Sequence, residues 1–142
     1  MIRYIRSCAL GLAIAAGPVA AQVVLAQTGE ELYQENCASC HGATLEGEPN
    51  WRERSSDGKL PAPPHDETGH TWHHADRILT DIIKRGTAEI VGGGYESNMP
   101  GFADVLTDAQ IEEILGYIKS TWPDRARTVQ EDVTRGDIEA RE

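Results

Sequence analysis

The chain has 142 residues, 23 of them acidic and 13 basic, for a net charge of −10 at pH 7. That length suits one small domain, and the acidic balance argues against nucleic acid and anionic membranes as partners. With one phenylalanine and three cysteines in the whole sequence, the chain has little large apolar material for a core.

Residues 1–26 read as an export signal. Arg3 and Arg6 make a basic start, an apolar run from Cys8 to Ala16 follows, and small residues suited to signal-peptidase cleavage come next. Cleavage is expected after Ala26, with Ala21 as the alternative. Gln22 breaks the run short of the ~20 apolar residues that a spanning helix needs, so no stable membrane insertion is expected after cleavage. Cys8 precedes most of the apolar segment, whereas a lipidated cysteine should follow it. Removing the segment takes away two arginines and no acidic residue, leaving a charge of −12. An exported protein of that charge is expected to dock to basic patches.

The first helix is expected from Thr28 into the cysteines of "TGEELYQENCASCH". Thr28 as N-cap and Glu31 three residues later form a capping box, and Leu32 and Tyr33 supply the apolar side. From Gly42 to His74 the helical period is lost, and Pro49, Pro61, Pro63 and Pro64 mark a long loop of the kind that wraps or binds something. "ADRILTDIIKRG" restores the period with Ile78, Leu79, Ile82 and Ile83 on one stripe, Lys84 and Arg85 near the end and Gly86 as the stop. A second loop runs from Thr87 to Leu106 and holds Met99. The last clear helix, "TDAQIEEILGYIKSTW", has a second capping box in Thr107 and Gln110, an apolar stripe of Ile111, Ile114, Leu115 and Ile118, and Pro123 as its end. Residues 124–142 are charge-rich with sparse apolar positions and read as a flexible charged tail. No strand pattern is present, so the fold class is all-α.

"CASCH", residues 37–41, carries the chemistry. Two thiols three positions apart can form thioethers to the two vinyl groups on one edge of a porphyrin, and the histidine that follows then lies under the iron. Zinc would need about four protein ligands, and a second cysteine pair is missing. A thioredoxin-like dithiol belongs in a βαβ setting that this chain lacks. A disulfide between Cys37 and Cys40 would close a strained small loop. Covalent haem c is the reading preferred over all three.

Those residues, together with Gly29, Tyr33, Ile114, Tyr117 and "NMPGF", give the chain its likeness to a family. It resembles the small mono-haem c-type cytochromes of bacteria with histidine and methionine axial ligands, over about residues 28–122. The resemblance implies a cytochrome c fold over residues 27–123, in which the first and last helices cross around one covalently bound haem. It implies thioethers to Cys37 and Cys40 and iron held by His41 and Met99, the methionine lying 58 residues after His41 in the loop before the last helix. Gly29 would permit close approach of the two helices, with Tyr33 and Tyr117 beside the crossing. A thioether is a soft, neutral donor that raises the potential relative to two histidines. Asn98 is a weaker candidate for a hydrogen bond near the sulfur. The family also uses a proline carbonyl to hold the proximal histidine, and "LPAPPH" offers Pro61, Pro63 and Pro64, with Pro63 as first choice.

"HDETGHTWHH" stands outside that pattern. His65, His70, His73 and His74 lie within ten residues beside Trp72. His70 and Trp72 packing on the haem or a propionate is the plain reading, and Trp51 and Trp72 suit pocket walls. A second copper or zinc site is the sharper one, and an alternative axial ligand a third.

The function expected from the whole is that of a periplasmic single-electron carrier rather than an enzyme. Its partners would be redox proteins such as a dehydrogenase, a bc-type complex or a terminal oxidase. Two alternatives are a haem protein with a copper-binding histidine cluster and an electron-transfer subunit of a larger periplasmic redox enzyme.

Overall fold

In the computed structural model, residues 26–142 are described, and all but the last residue of the expected export signal lies outside them. Helix α1, Gly29–Asn36, starts where the sequence places its capping box. Thr28 Oγ1 accepts from the Glu31 N–H at 3.2 Å, and the Glu31 carboxylate accepts from the Thr28 N–H at 2.8 Å. The chain breaks at Cys37 and resumes as the single turn α2, Ala38–His41, so the motif sits on a kink rather than on one continuous helix.

Further helices follow the long loop. Helix α3 spans Asp76–Arg85 and buries Leu79 and Ile83. Gly86, with φ at +84°, turns the chain into the short helix α4, Thr87–Val91, where the sequence pattern predicts only loop. Five residues are too few for a helical period to register. Helix α5, Asp108–Ser120, opens on the Thr107–Gln110 capping box and buries Ile111, Ile114, Leu115 and Ile118. Each such side chain contributes roughly 1.5–3 kcal/mol by leaving water.

The first and last of these helices cross at Gly29. A Cβ at that position would drive into the Glu113 carbonyl oxygen of α5 and come within 3.1 Å of the Tyr117 Cβ. Only a glycine lets the two backbones approach so closely. Tyr33 and Tyr117 flank the crossing with ring centroids 5.5 Å apart. Tyr33, Leu32, Ile111, Ile114 and Trp122 are the most deeply buried side chains, so the core lies at this crossing.

Where composition predicts a flexible charged tail, Asp124–Glu139 form a sixth helix, α6. Its inward face is mixed, with Val129 and Val133 half-buried beside small and polar residues. Ala126 and Gln130 are buried, and the Gln130 amide donates to the Asp76 carboxylate, to the His74 carbonyl at 3.3 Å and to Thr134 Oγ1 at 3.0 Å. Thr134 Oγ1 in turn accepts from the Asp76 N–H, one of the orphan donors at the start of α3. Arg77 and Asp137 add a two-bond ion pair at 2.7 and 3.0 Å. Ala126, Val129 and Val133 share that face, but the charged residues around them mask so short a stripe in the sequence.

Candidate haem site

The site is assembled from α2, the long loop and the segment between α4 and α5. Cys37 and Cys40 are both free thiols, Cys37 partly buried and Cys40 exposed. Burial, with a smaller contribution from Cys40, pushes the Cys37 thiol up to about 11. The free thiol is therefore neutral at physiological pH, unlike the activated thiolate of a reactive dithiol.

His41 is buried, and its Nδ1 lies 2.8 Å from the carbonyl oxygen of Pro63. A carbonyl only accepts, so Nδ1 carries the proton and donates, and Nε2 keeps its lone pair for a metal. Desolvation holds the imidazole below its ordinary value, partly opposed by the Pro63 carbonyl, so burial favours the neutral ring. The expectation for Pro63 among the three prolines is met by this bond.

The loop that supplies this carbonyl is tied back at several points. The Gly47 N–H donates to the His41 carbonyl at 2.7 Å and the Glu48 N–H to Ala62 at 2.8 Å. Leu45 is buried in the core with φ at +67°, a region leucine rarely enters. Its carbonyl accepts from the His65 N–H at 2.8 Å, which closes the loop on itself. Trp122 at the end of α5 donates from Nε1 to the His65 carbonyl at 2.7 Å, fastening the loop to the core.

Met99 is partly buried against the same core. Its segment is anchored to the end of α3, where the Phe102 and Ala103 N–H groups donate to the Ile83 and Lys84 carbonyls at 2.9 and 3.2 Å. These are carbonyls that a helix end otherwise leaves unpaired. Gly101 fits because a Cβ there would lie 2.6 Å from the Lys84 oxygen. Asn98, the candidate for a bond near the sulfur, is exposed and accepts from Lys59 Nζ at 2.8 Å. The group that meets the sulfur is Thr87, whose Oγ1 lies 3.2 Å from Met99 Sδ. Thr87 carried no signal in the sequence, since its segment reads as loop.

The remaining histidines divide. His65 stacks on the His41 ring at 4.0 Å, and its Nδ1 is 2.9 Å from Thr71 Oγ1. Burial, then the charges of His41 and His70, holds it well below its ordinary value. His70 stacks on Trp51 at 5.4 Å and meets His74 edge-on, while His73 lies against Trp72 at 3.7 Å. Among the described residues no three His, Cys, Asp or Glu side chains are placed to hold a metal ion. The copper alternative therefore has no preformed site there.

A pair of thiols on a kink, a buried imidazole with Nε2 free and an anchored thioether make a donor set that fits a covalently held haem. The family model for cytochrome c matches residues 26–122. The chain belongs to the cytochrome c family. This cytochrome is 33% identical over 121 residues to a nitrite reductase of Stutzerimonas stutzeri, covering 79% of the chain and 19% of that protein. It is 30% identical over 92 residues to the cbb3-type cytochrome c oxidase subunit FixP of Sinorhizobium medicae. With FixP of Azorhizobium caulinodans the identity is 28%, and both matches cover 65% of the chain and 28% of the relative. The cytochrome thus spans well under a third of the length of these relatives. Family membership brings covalently bound haem c and haem-based electron transfer. No helix among the described residues is long and apolar enough to cross a membrane.

Proposed function

We propose that the chain is an exported single-electron carrier of the periplasm, with haem on Cys37 and Cys40 and iron held by His41 and Met99. The observation that carries this reading is the bond from His41 Nδ1 to the Pro63 carbonyl, which fixes the tautomer and leaves Nε2 for iron. The haem, when bound, supplies a one-electron ferric/ferrous couple. The chain's own residues set the conditions for that couple. Pro63 and the tied loop hold the imidazole orientation, so little rearrangement accompanies a change in iron charge. The Met99 thioether, a neutral soft donor on a segment pinned to α3, favours the ferrous state.

Two protein ligands would leave no position on the iron for oxygen, nitrite or peroxide, so the reading is a carrier and not an enzyme. Arg3, Arg6 and the apolar run after them support export, and the mature chain is expected to start at Gln27 or Gln22. Partners of this kind include a dehydrogenase, a bc-type complex or a terminal oxidase. The test is magnetic circular dichroism of the purified ferric holo-protein. Low-spin signals with a thioether-to-iron charge-transfer band are expected, and a high-spin or bis-histidine spectrum would overturn the assignment.

A second reading is favoured by the relatives, which are larger than this chain and include an oxidase subunit. On that reading the domain passes electrons within a bigger redox complex. Native electrophoresis of cell extract with haem staining separates the two. A carrier runs as a small species, its mature chain lighter than the 15.5 kDa of the full sequence, whereas a subunit runs with its complex.

A further inference from the structure

Met99 does not meet the haem site alone. Thr87 Oγ1 lies 3.2 Å from Met99 Sδ, and a thioether has no hydrogen to give, so the hydroxyl donates. Backbone packing, not a chance surface contact, sets the two side by side. Gly86, immediately before Thr87, abuts the Met99 segment so closely that a Cβ there would lie 3.0 Å from both the Met99 carbonyl oxygen and the Gly101 nitrogen. The φ of +84° at Gly86 ends α3 and starts α4, which places Thr87 in the first turn of α4 against the sulfur. On the other side, the Met99 N–H donates to Ser97 Oγ at 3.1 Å.

We infer that Thr87 is a tuning residue for the electron carrier, and that its hydroxyl raises the reduction potential by withdrawing electron density from the Met99 sulfur. The inference rests on the reading that Met99 is the axial ligand. A thioether sulfur has two lone pairs. With one given to iron, the other is free to accept from Thr87, and the hydrogen bond fixes which lone pair faces the metal. A sulfur that accepts a hydrogen bond from a hydroxyl is a poorer donor to iron, and ferric iron loses more by that than ferrous iron does. Asn98 cannot serve in this role because Lys59 holds it at the surface.

The test is potentiometric titration of holo-protein carrying Thr87→Val or Thr87→Ser, beside the wild type, with the thioether-to-iron band recorded in each. Thr87→Val keeps the shape and removes the donor. Its ferrous-to-ferric ratio at a fixed ambient potential should fall, by at most about fivefold, the size of one whole net hydrogen bond, against about 59 mV for a full tenfold change in a one-electron couple. Thr87→Ser keeps the hydroxyl and should restore the ratio. If the band is present in all three proteins and the Thr87→Val potential equals that of the wild type, the tuning role is overturned while Met99 ligation stands. If the band is missing from the wild type, the ligation reading falls and this inference falls with it.

Discussion

Gly29 on α1 lies so close to the Glu113 carbonyl of α5 that the structure has no room for a side chain between them. Gly116, on the exposed side of the same helix α5, meets nothing within 4 Å of where a Cβ would be. The two glycines therefore predict opposite outcomes. Gly29→Ala should destabilise the holo-protein by about 1–3 kcal/mol, as overpacking does. Gly116→Ala should stabilise it by roughly 0.5–1 kcal/mol through helix propensity. Denaturant unfolding followed by far-UV circular dichroism checks both, and equal effects would contradict the helix crossing.

Gln130 is the buried hub of the α6 contact, so Gln130→Ala leaves the Asp76 carboxylate and the His74 carbonyl each one donor short. A loss of about 1–2 kcal/mol in the stability of α6 is expected. Hydrogen exchange should show faster exchange across 124–139 with the core amides of α5 unchanged. Uniform acceleration across the chain would mean instead that α6 belongs to the same cooperative unit as the haem domain.

The same contact should respond to acid. Hydrogen bonds from Arg77, followed by the charges of Arg77 and Arg141, hold Asp137 below its ordinary value. A depressed carboxylate contributes to stability above its unfolded value, and the contribution is lost as pH falls through the folded one. Exchange protection of α6 should therefore drop below the ordinary aspartate range before the core unfolds. Asp137→Asn should lose that step, already showing the weaker protection at neutral pH. An identical acid profile in the variant would rule out Asp137 as its source.

Net charge gives a kinetic prediction. With a charge of −10 over the full sequence, electron exchange with a small cationic complex such as hexaammineruthenium should slow as salt rises. Exchange with anionic ferricyanide should quicken under the same change. Stopped-flow rates in both reagents between low and physiological ionic strength check the sign. Rates independent of salt would leave steering by charge without support.

Much of this architecture is legible in the residues because the signals are local. Thr28 with Glu31 and Thr107 with Gln110 mark two helix starts through paired side chain and backbone bonds, and Gly86 marks the end of α3. Gly29 and the two tyrosines reveal the crossing by residue size. The choice of Pro63 over its neighbours needed geometry, since three prolines in four residues differ only in where their carbonyls point. Thr87 and α6 were not legible. A five-residue helix has no period, and in α6 the weak stripe of Ala126, Val129 and Val133 is outnumbered by charged residues. The histidine run left several readings open, and the structure puts His70 against Trp51 and His74 and puts His73 against Trp72.

The central claim is that His41 and Met99 both hold the iron, which makes the chain a carrier. Carbon monoxide binding to the ferrous holo-protein at neutral pH tests it most directly, because the gas needs a free or easily vacated axial position. The wild type should not bind, and Met99→Ala should bind readily, with His41 retained opposite the gas. Ready binding by the wild type, or an unchanged spectrum in Met99→Ala, would contradict it.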